Sequence, residues 1–208
     1  MKFLKEQYRE AFAFLRGSVK KSYLICSAVF LVLCIASYVA LIMMPETAID
    51  VYEFFAQSIE NSGVMDENGE IGCLDLFLHN ARATGLSALY GLVPFCYLPM
   101  LSLTLNGVII GGVLAVVQAT GAANVLLMVL LGLLPHGIFE LPAILLGMSL
   151  GIVICRHISG SILRKPWAIP LEDLLGHLLR VYLLVILPLL AIAAVIETYI
   201  TPILLQLI

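Results

Sequence analysis

Residues 22–44 read SYLICSAVFLVLCIASYVALIMM, without a single charged side chain. A hydrocarbon core of about 30 Å takes roughly 20 apolar residues to cross as a helix. Lipid offers the backbone no hydrogen-bond partner, so a stretch of this kind must be helical if it crosses at all. It is too long for a signal-peptide core of about 7–15 residues, and it reads as a retained anchor. Pro45 and Glu46 end it.

The rest of the chain has the same character. Hydrophobic residues make up 62% of the 208 positions and charged residues 12%, with a mean hydropathy of +1.07. Soluble domains carry about twice that charged fraction. No segment shows the alternation of a membrane barrel strand. The expected class is all-α: a polytopic transmembrane helical bundle of about five spans, with broken or re-entrant helices near 107–137.

Charge placement orients the chain. Lys2, Lys5, Arg9, Arg16, Lys20 and Lys21 precede the first span, and Arg156, Arg164, Lys165 and Arg180 flank a later loop. Residues 45–75 hold eight acids and neither Lys nor Arg. Basic segments beside spans stay in the cytoplasm. The N-terminus is therefore expected inside and the acidic segment and C-terminus outside, in the cell membrane.

The expected organisation is a cytoplasmic amphipathic segment over 1–21 and one transmembrane domain over 22–208. Spans are expected over about 22–44, 84–103, 104–118, 138–155 and 178–200, with an external acidic segment over 45–75 and a cytoplasmic loop over 156–177. In the first segment Leu4, Tyr8, Ala11, Phe12 and Leu15 share a helical face. That face either lies on the membrane or packs on the bundle. Val51, Phe54, Phe55 and Ile59 suggest a helix along the outer interface, and Asp66 to Gly69 a turn. Pro94 and Pro99 should bend the second span, and Pro135-His136-Gly137 should interrupt a later one.

Of the five cysteines, Cys26, Cys34, Cys96 and Cys155 fall in apolar runs and read as packing. Cys73 is the one candidate for an intermolecular bridge. No CxxC pair marks a zinc site. Gly107, Gly111 and Ala115, and likewise Ala143, Gly147, Gly151 and Cys155, recur every four residues. Such ladders let helix backbones approach closely, within one chain or between copies of a homo-oligomer.

His136 and Glu140, four apart on one helical face, sit among apolar stretches. A carboxylate there costs several kcal/mol unless it is protonated, paired or wet. Three readings are open: a hydrogen-bonded pair fixing a kinked helix, a proton or ion site in a permeation path, and a metal site needing further ligands. Asn80, Arg82, Asn106 and Glu197 are candidates to join them along one polar seam. HGIFE is not the HExxH of zinc proteases, and no nucleophile elbow, phosphate loop or nucleic-acid patch occurs.

The string Leu134-Pro-His-Gly-Ile-Phe-Glu-Leu-Pro-Ala143, with Phe77-Leu-His-Asn80 and Asn106-Gly107 before it, resembles the signature of the stage II sporulation protein M family of prokaryotic membrane proteins. The resemblance covers roughly residues 70–160. Asn80, Asn106, Gly107, His136, Gly137 and Glu140 match its pattern. It implies a multi-helix membrane fold of about five spans. The family's namesake works in spore formation, in a complex where partner proteins cut the cell wall, and many relatives come from organisms that make no spores. The resemblance thus implies a non-enzymatic anchor or scaffold for membrane or cell-wall-associated partners. No cofactor is expected beyond the metal ion of the third reading of His136 and Glu140. The buried polar residues support an alternative: a transporter or channel for an ion or small solute that uses the intramembrane His136/Glu140 site.

Overall fold

The computed structural model describes residues 2–61 and 72–207. The turn expected at residues 66–69 and the side chains of Phe55 and Ile59 lie outside what is described. Among the described residues every regular element is helical. In order these are α1 (Lys2–Phe14), α2 (Lys20–Ile42), α3 (Pro45–Glu60), α4 (Cys73–Leu89), α5 (Pro99–Thr120), α6 (Val125–Leu127), α7 (Leu134–Ile162), α8 (Leu171–Val181), α9 (Leu187–Tyr199) and α10 (Thr201–Leu205).

Four continuous helical runs are long and apolar enough to cross a membrane: Lys2–Ile42, Pro99–Thr120, Val125–Ile162 and Leu171–Tyr199. The fifth member of the bundle is α4, extended by a 3-10 turn over Tyr90–Leu92. It carries Asp75, His79, Asn80 and Arg82. Neighbouring residues show the helix directions. Gly107 lies against Phe30 and Leu33, and Gly111 against Cys34 and Tyr38, so α5 runs parallel to α2. Asn80 meets Glu140, Thr84 meets Gly147 and Ser87 meets Gly151, so α4 runs parallel to α7. His136 at the start of α7 meets Thr201 just beyond α9, so these two are antiparallel. Pro99 at the start of α5 and Ser87 near the end of α4 both meet Gly151, so α5 runs back along α4, and successive long helices alternate in direction, as five crossings require.

The helix expected over 84–103 is divided in two. The chain turns at residues 93–98, between Leu92 and Pro99, and not near residue 103. Pro94 and Pro99 lack the N–H that a continuing helix needs. Phe95 and Tyr97 hold left-handed φ angles of 66° and 47°, a conformation that is uncommon for bulky residues. The turn is pinned to α7, where the Phe95 N–H donates to Ser159 Oγ at 2.9 Å and Cys155 Sγ to Val93 O at 3.4 Å. Cys96 is exposed in this turn instead of packed.

The irregular helix expected near 107–137 takes another form. α5 continues to Thr120 and stops at Gly121, whose φ of 64° is one that glycine adopts freely. Asn124 Oδ1 caps the next run, accepting from Leu126 N at 2.9 Å and Leu127 N at 3.2 Å. That run passes through Pro135-His136-Gly137 without a break. The turn before the proline widens into a π-helix over Met128–Leu133, and Pro188 likewise follows a π-helical stretch over Tyr182–Ile186. A proline ring clashes with the carbonyl four residues back, and the wider turn accommodates it.

Both glycine ladders have partners within the chain. A Cβ on Gly107 would come within 2.9 Å of Leu33 Cβ, and one on Gly111 would overlap Ser37. Ser37 Oγ reaches across to Gly107 O at 3.2 Å. On α7, Gly147 packs on Thr84, while Gly151 packs on Ser87, Pro99 and the backbone of Gly91. Contact this close is what holds helices together where lipid supplies no hydrophobic drive. The outward faces are apolar and exposed, as at Leu31, Val32, Leu101, Leu105, Ile138 and Val195, which suits lipid contact.

α1 packs on the bundle. Ala11 and Phe14 are buried in a core with Leu174, Leu178 and Val181 of α8. Phe14 stacks on His177 with ring centroids 4.8 Å apart, and Arg180 bonds Gln7 at 2.6 Å and Glu10 at 3.0 Å. α3 lies beside α5, with Ala48 buried and Val51 against Gly112. Pro45 and Glu46 in its first turn suit a helix start.

Candidate functional site

A chamber of about 410 Å³ lies between α4, α5, α7 and the end of α9. Along α7 and the π-turn before it, its wall is one stripe, Leu133, His136, Gly137, Glu140, Leu141, Ile144 and Met148, the three-and-four spacing of a single helix face. α4 contributes His79, Asn80, Thr84 and Ser87, α5 contributes Asn106, and α9 contributes Glu197. α3 reaches its rim with Ser58. Toward Met148 the α7 wall becomes apolar and faces Thr84 and Ser87 of α4, and just beyond it Gly151 packs on Gly91 and Ser87.

The polar end is built from two facing pairs. His136 and Glu140 are four apart on α7, and Glu197 and Thr201 are four apart across the α9–α10 junction. Because α7 and α9 are antiparallel, His136 meets Thr201 and Glu140 meets Glu197. His136 Nδ1 lies 3.4 Å from Thr201 Oγ1, and His136 Nε2 lies 3.9 Å from Glu140 Oε2. Asn80 Nδ2 donates to Glu140 Oε1 at 3.1 Å. One ligand atom from each of His136, Glu140 and Glu197 lies within 4.8 Å of the others.

The His136 and Glu140 side chains are 12% and 17% exposed. Two carboxylates so close in a low-dielectric interior repel unless a proton or a cation stands between them. Asn80 supplies one neutral donor, which orients Glu140 without cancelling its charge.

Five of the six residues expected along a polar seam, Asn80, Asn106, His136, Glu140 and Glu197, line this one chamber. Asn106 is partly turned to its own helix, donating to Ser102 O at 2.8 Å. Arg82 is not among them, being exposed on α4. The glycines Gly107, Gly111, Gly147 and Gly151 are packing positions outside the polar cluster. Thr201, Thr84, Ser87, His79 and Ser58 were not anticipated. The four-residue step from Glu197 to Thr201, equal to that from His136 to Glu140, was the available signal for the first of them.

A search of curated proteins and of solved structures returned no match. The family model described as Stage II sporulation protein M matches residues 26–202, which takes in α4, α5, α7 and α9 and every polar residue of the chamber. The chain belongs to the stage II sporulation protein M family.

Proposed function

We propose that this membrane protein handles a cation within the bilayer, admitting it to the chamber from the end that carries α3 and holding it at His136, Glu140 and Glu197. The observation that carries this reading is the convergence of two carboxylates and an imidazole within 4.8 Å in a 410 Å³ chamber. Intramembrane acids of this kind are costly and commonly mark ion or proton pathways. The close packing of Gly91, Ser87 and Gly151 shuts the opposite end, so passage to the other side requires α4 and α7 to part. The charge distribution supports a prokaryotic cell-membrane location with the N-terminus in the cytoplasm and the C-terminus outside. The test is cation flux into proteoliposomes containing the wild type or Glu140→Gln. Flux should be abolished in the variant, with its elution profile in detergent retained. Unchanged flux removes Glu140 from the mechanism.

A second reading is a scaffold that anchors membrane or cell-wall-associated partner proteins. It is favoured by family membership and by the α1–α8 pair, which presents Phe3, Leu4 and Phe12 at the surface. Deleting residues 2–14 should then release partners from the native membrane complex while leaving the chamber intact. Under both readings the chain is not an enzyme.

A further inference from the structure

The chamber's ligand chemistry can be taken one step further, resting on the reading that it takes up a cation. The hydrogen bonds around the cluster fix which atoms are free. Thr201 Oγ1 lies 3.3 Å from Ile196 O and 3.4 Å from His136 Nδ1. With its proton on Ile196 O it accepts from Nδ1–H, the tautomer that turns the Nε2 lone pair toward Glu140 Oε2 at 3.9 Å. Glu140 Oε1 is held by Asn80 at 3.1 Å, which leaves Oε2 free. Each of these two ligands thus has its second atom held by a neighbour, the arrangement that orients imidazole and carboxylate in metal sites. Glu197 brings the third ligand from the facing helix, all three within 4.8 Å.

Thr84 lines the same chamber further in, beside Gly147; it is buried (1% exposed), and its Oγ1 has no hydrogen-bond partner among the described residues. A buried hydroxyl of this kind calls for water in the chamber, which an ion held at its polar end would bring.

We propose that His136 Nε2, Glu140 and Glu197 form a site for a divalent first-row transition metal, with open coordination positions facing the chamber. The donor set decides the class. Imidazole favours transition metals over Mg²⁺ and Ca²⁺, which take oxygen ligands. Two carboxylates balance a divalent ion, whereas a monovalent one leaves a net negative charge in the bilayer interior. Ligand bonds of about 2.0–2.2 Å require the three groups to draw in by roughly an ångström, which rotamer adjustment on α7 and α9 supplies. Open positions would let the ion arrive and leave with water.

The test is a Co²⁺ titration of the detergent-purified full chain, followed by visible absorption, with metal per chain counted by mass spectrometry after dialysis. Wild type should bind one Co²⁺ per chain, displaced by Zn²⁺ and not by Mg²⁺ or Ca²⁺. His136→Gln and Glu197→Gln should each weaken binding by at least about 100-fold, while Arg82→Ala, exposed on α4 outside the chamber, should not. Elution and melting profiles check that each variant is folded, and the conservative His136→Asn serves where His136→Gln is not. Absence of stoichiometric Co²⁺ binding, or equal affinity in folded His136 and Glu197 variants, overturns the proposal. If Co²⁺ does not bind but proton or monovalent flux depends on Glu140, the metal inference fails and the cation reading survives. If no cation moves either, both fail.

Discussion

Asn80 and Glu140, 60 residues apart in the chain, are joined by a hydrogen bond of 3.1 Å that ties α4 to α7 and aims the carboxylate into the chamber. Replacing Asn80 with Leu keeps the side-chain size and removes the donor. A buried acceptor left without its partner costs about 1–3 kcal/mol, and loss of an orienting contact costs a metal site roughly 10–100-fold in affinity. Asn80→Leu should therefore melt earlier in detergent and bind Co²⁺ more weakly than wild type. An unchanged affinity would mean that the bond does not position Glu140.

The glycine contacts predict an asymmetry among alanine substitutions. At Gly151 a new Cβ would come within 2.6 Å of both Pro99 Cγ and Ser87 O, whereas at Gly176 of α8 it meets nothing within 4 Å. Gly151→Ala should destabilise by about 1–3 kcal/mol through overpacking. Gly176→Ala should stabilise by up to about 1 kcal/mol through helix propensity. Thermal unfolding of the two variants side by side gives the comparison, and equal shifts would argue against the α4–α7 seam.

Arg180 is predicted to fasten α1. It bonds Gln7 and Glu10 from α8, with its side chain 25% exposed and that of Glu10 40%. Arg180→Ala removes both contacts and leaves the Phe14–His177 stack. Cleavage by trypsin at Lys5 and Arg9 should accelerate, with the transmembrane fragment otherwise protected. A digestion pattern identical to wild type would show that the apolar contacts of Ala11 and Phe14 hold the helix by themselves.

Orientation is open to a labelling experiment. Cys73 begins α4 and Cys96 lies in the turn at its other end. In single-cysteine variants, a membrane-impermeant maleimide added to intact cells should label Cys73. It should reach Cys96 only after the membrane is opened. The reverse pattern would invert the assignment drawn from the Lys and Arg distribution.

Much of this architecture was readable from residue order alone, because lipid imposes a strong constraint on composition. The first span, the loop between α5 and α6 and the two glycine ladders follow from runs of apolar residues, one polar interval and four-residue steps. α4 was harder to read. Its first turns carry Asp75, His79, Asn80 and Arg82, which hydropathy assigns to water, yet His79 and Asn80 line an internal chamber. Arg82 is near Asn80 in the chain and not in the fold. Two residues advance a helix by about 200°, so they stand on nearly opposite faces. The pairing of Glu140 with Glu197 depends on the antiparallel packing of α7 and α9, which no local pattern encodes. Helix propensity alone makes Pro135 a break, and the π-turn over Met128–Leu133 relieves the clash that would cause one.

The seam where Gly91 lies on Gly151 constrains kinetics as well as shape. A gate made of side chains opens by rotamer flips within nanoseconds, whereas here backbone rests on backbone and nothing can swing aside. Opening that end demands rigid-body separation of whole helices, a motion of microseconds to milliseconds. Any ion crossing by this route would be delivered in discrete cycles, as by a carrier, and electrical recordings should show no unitary conductance.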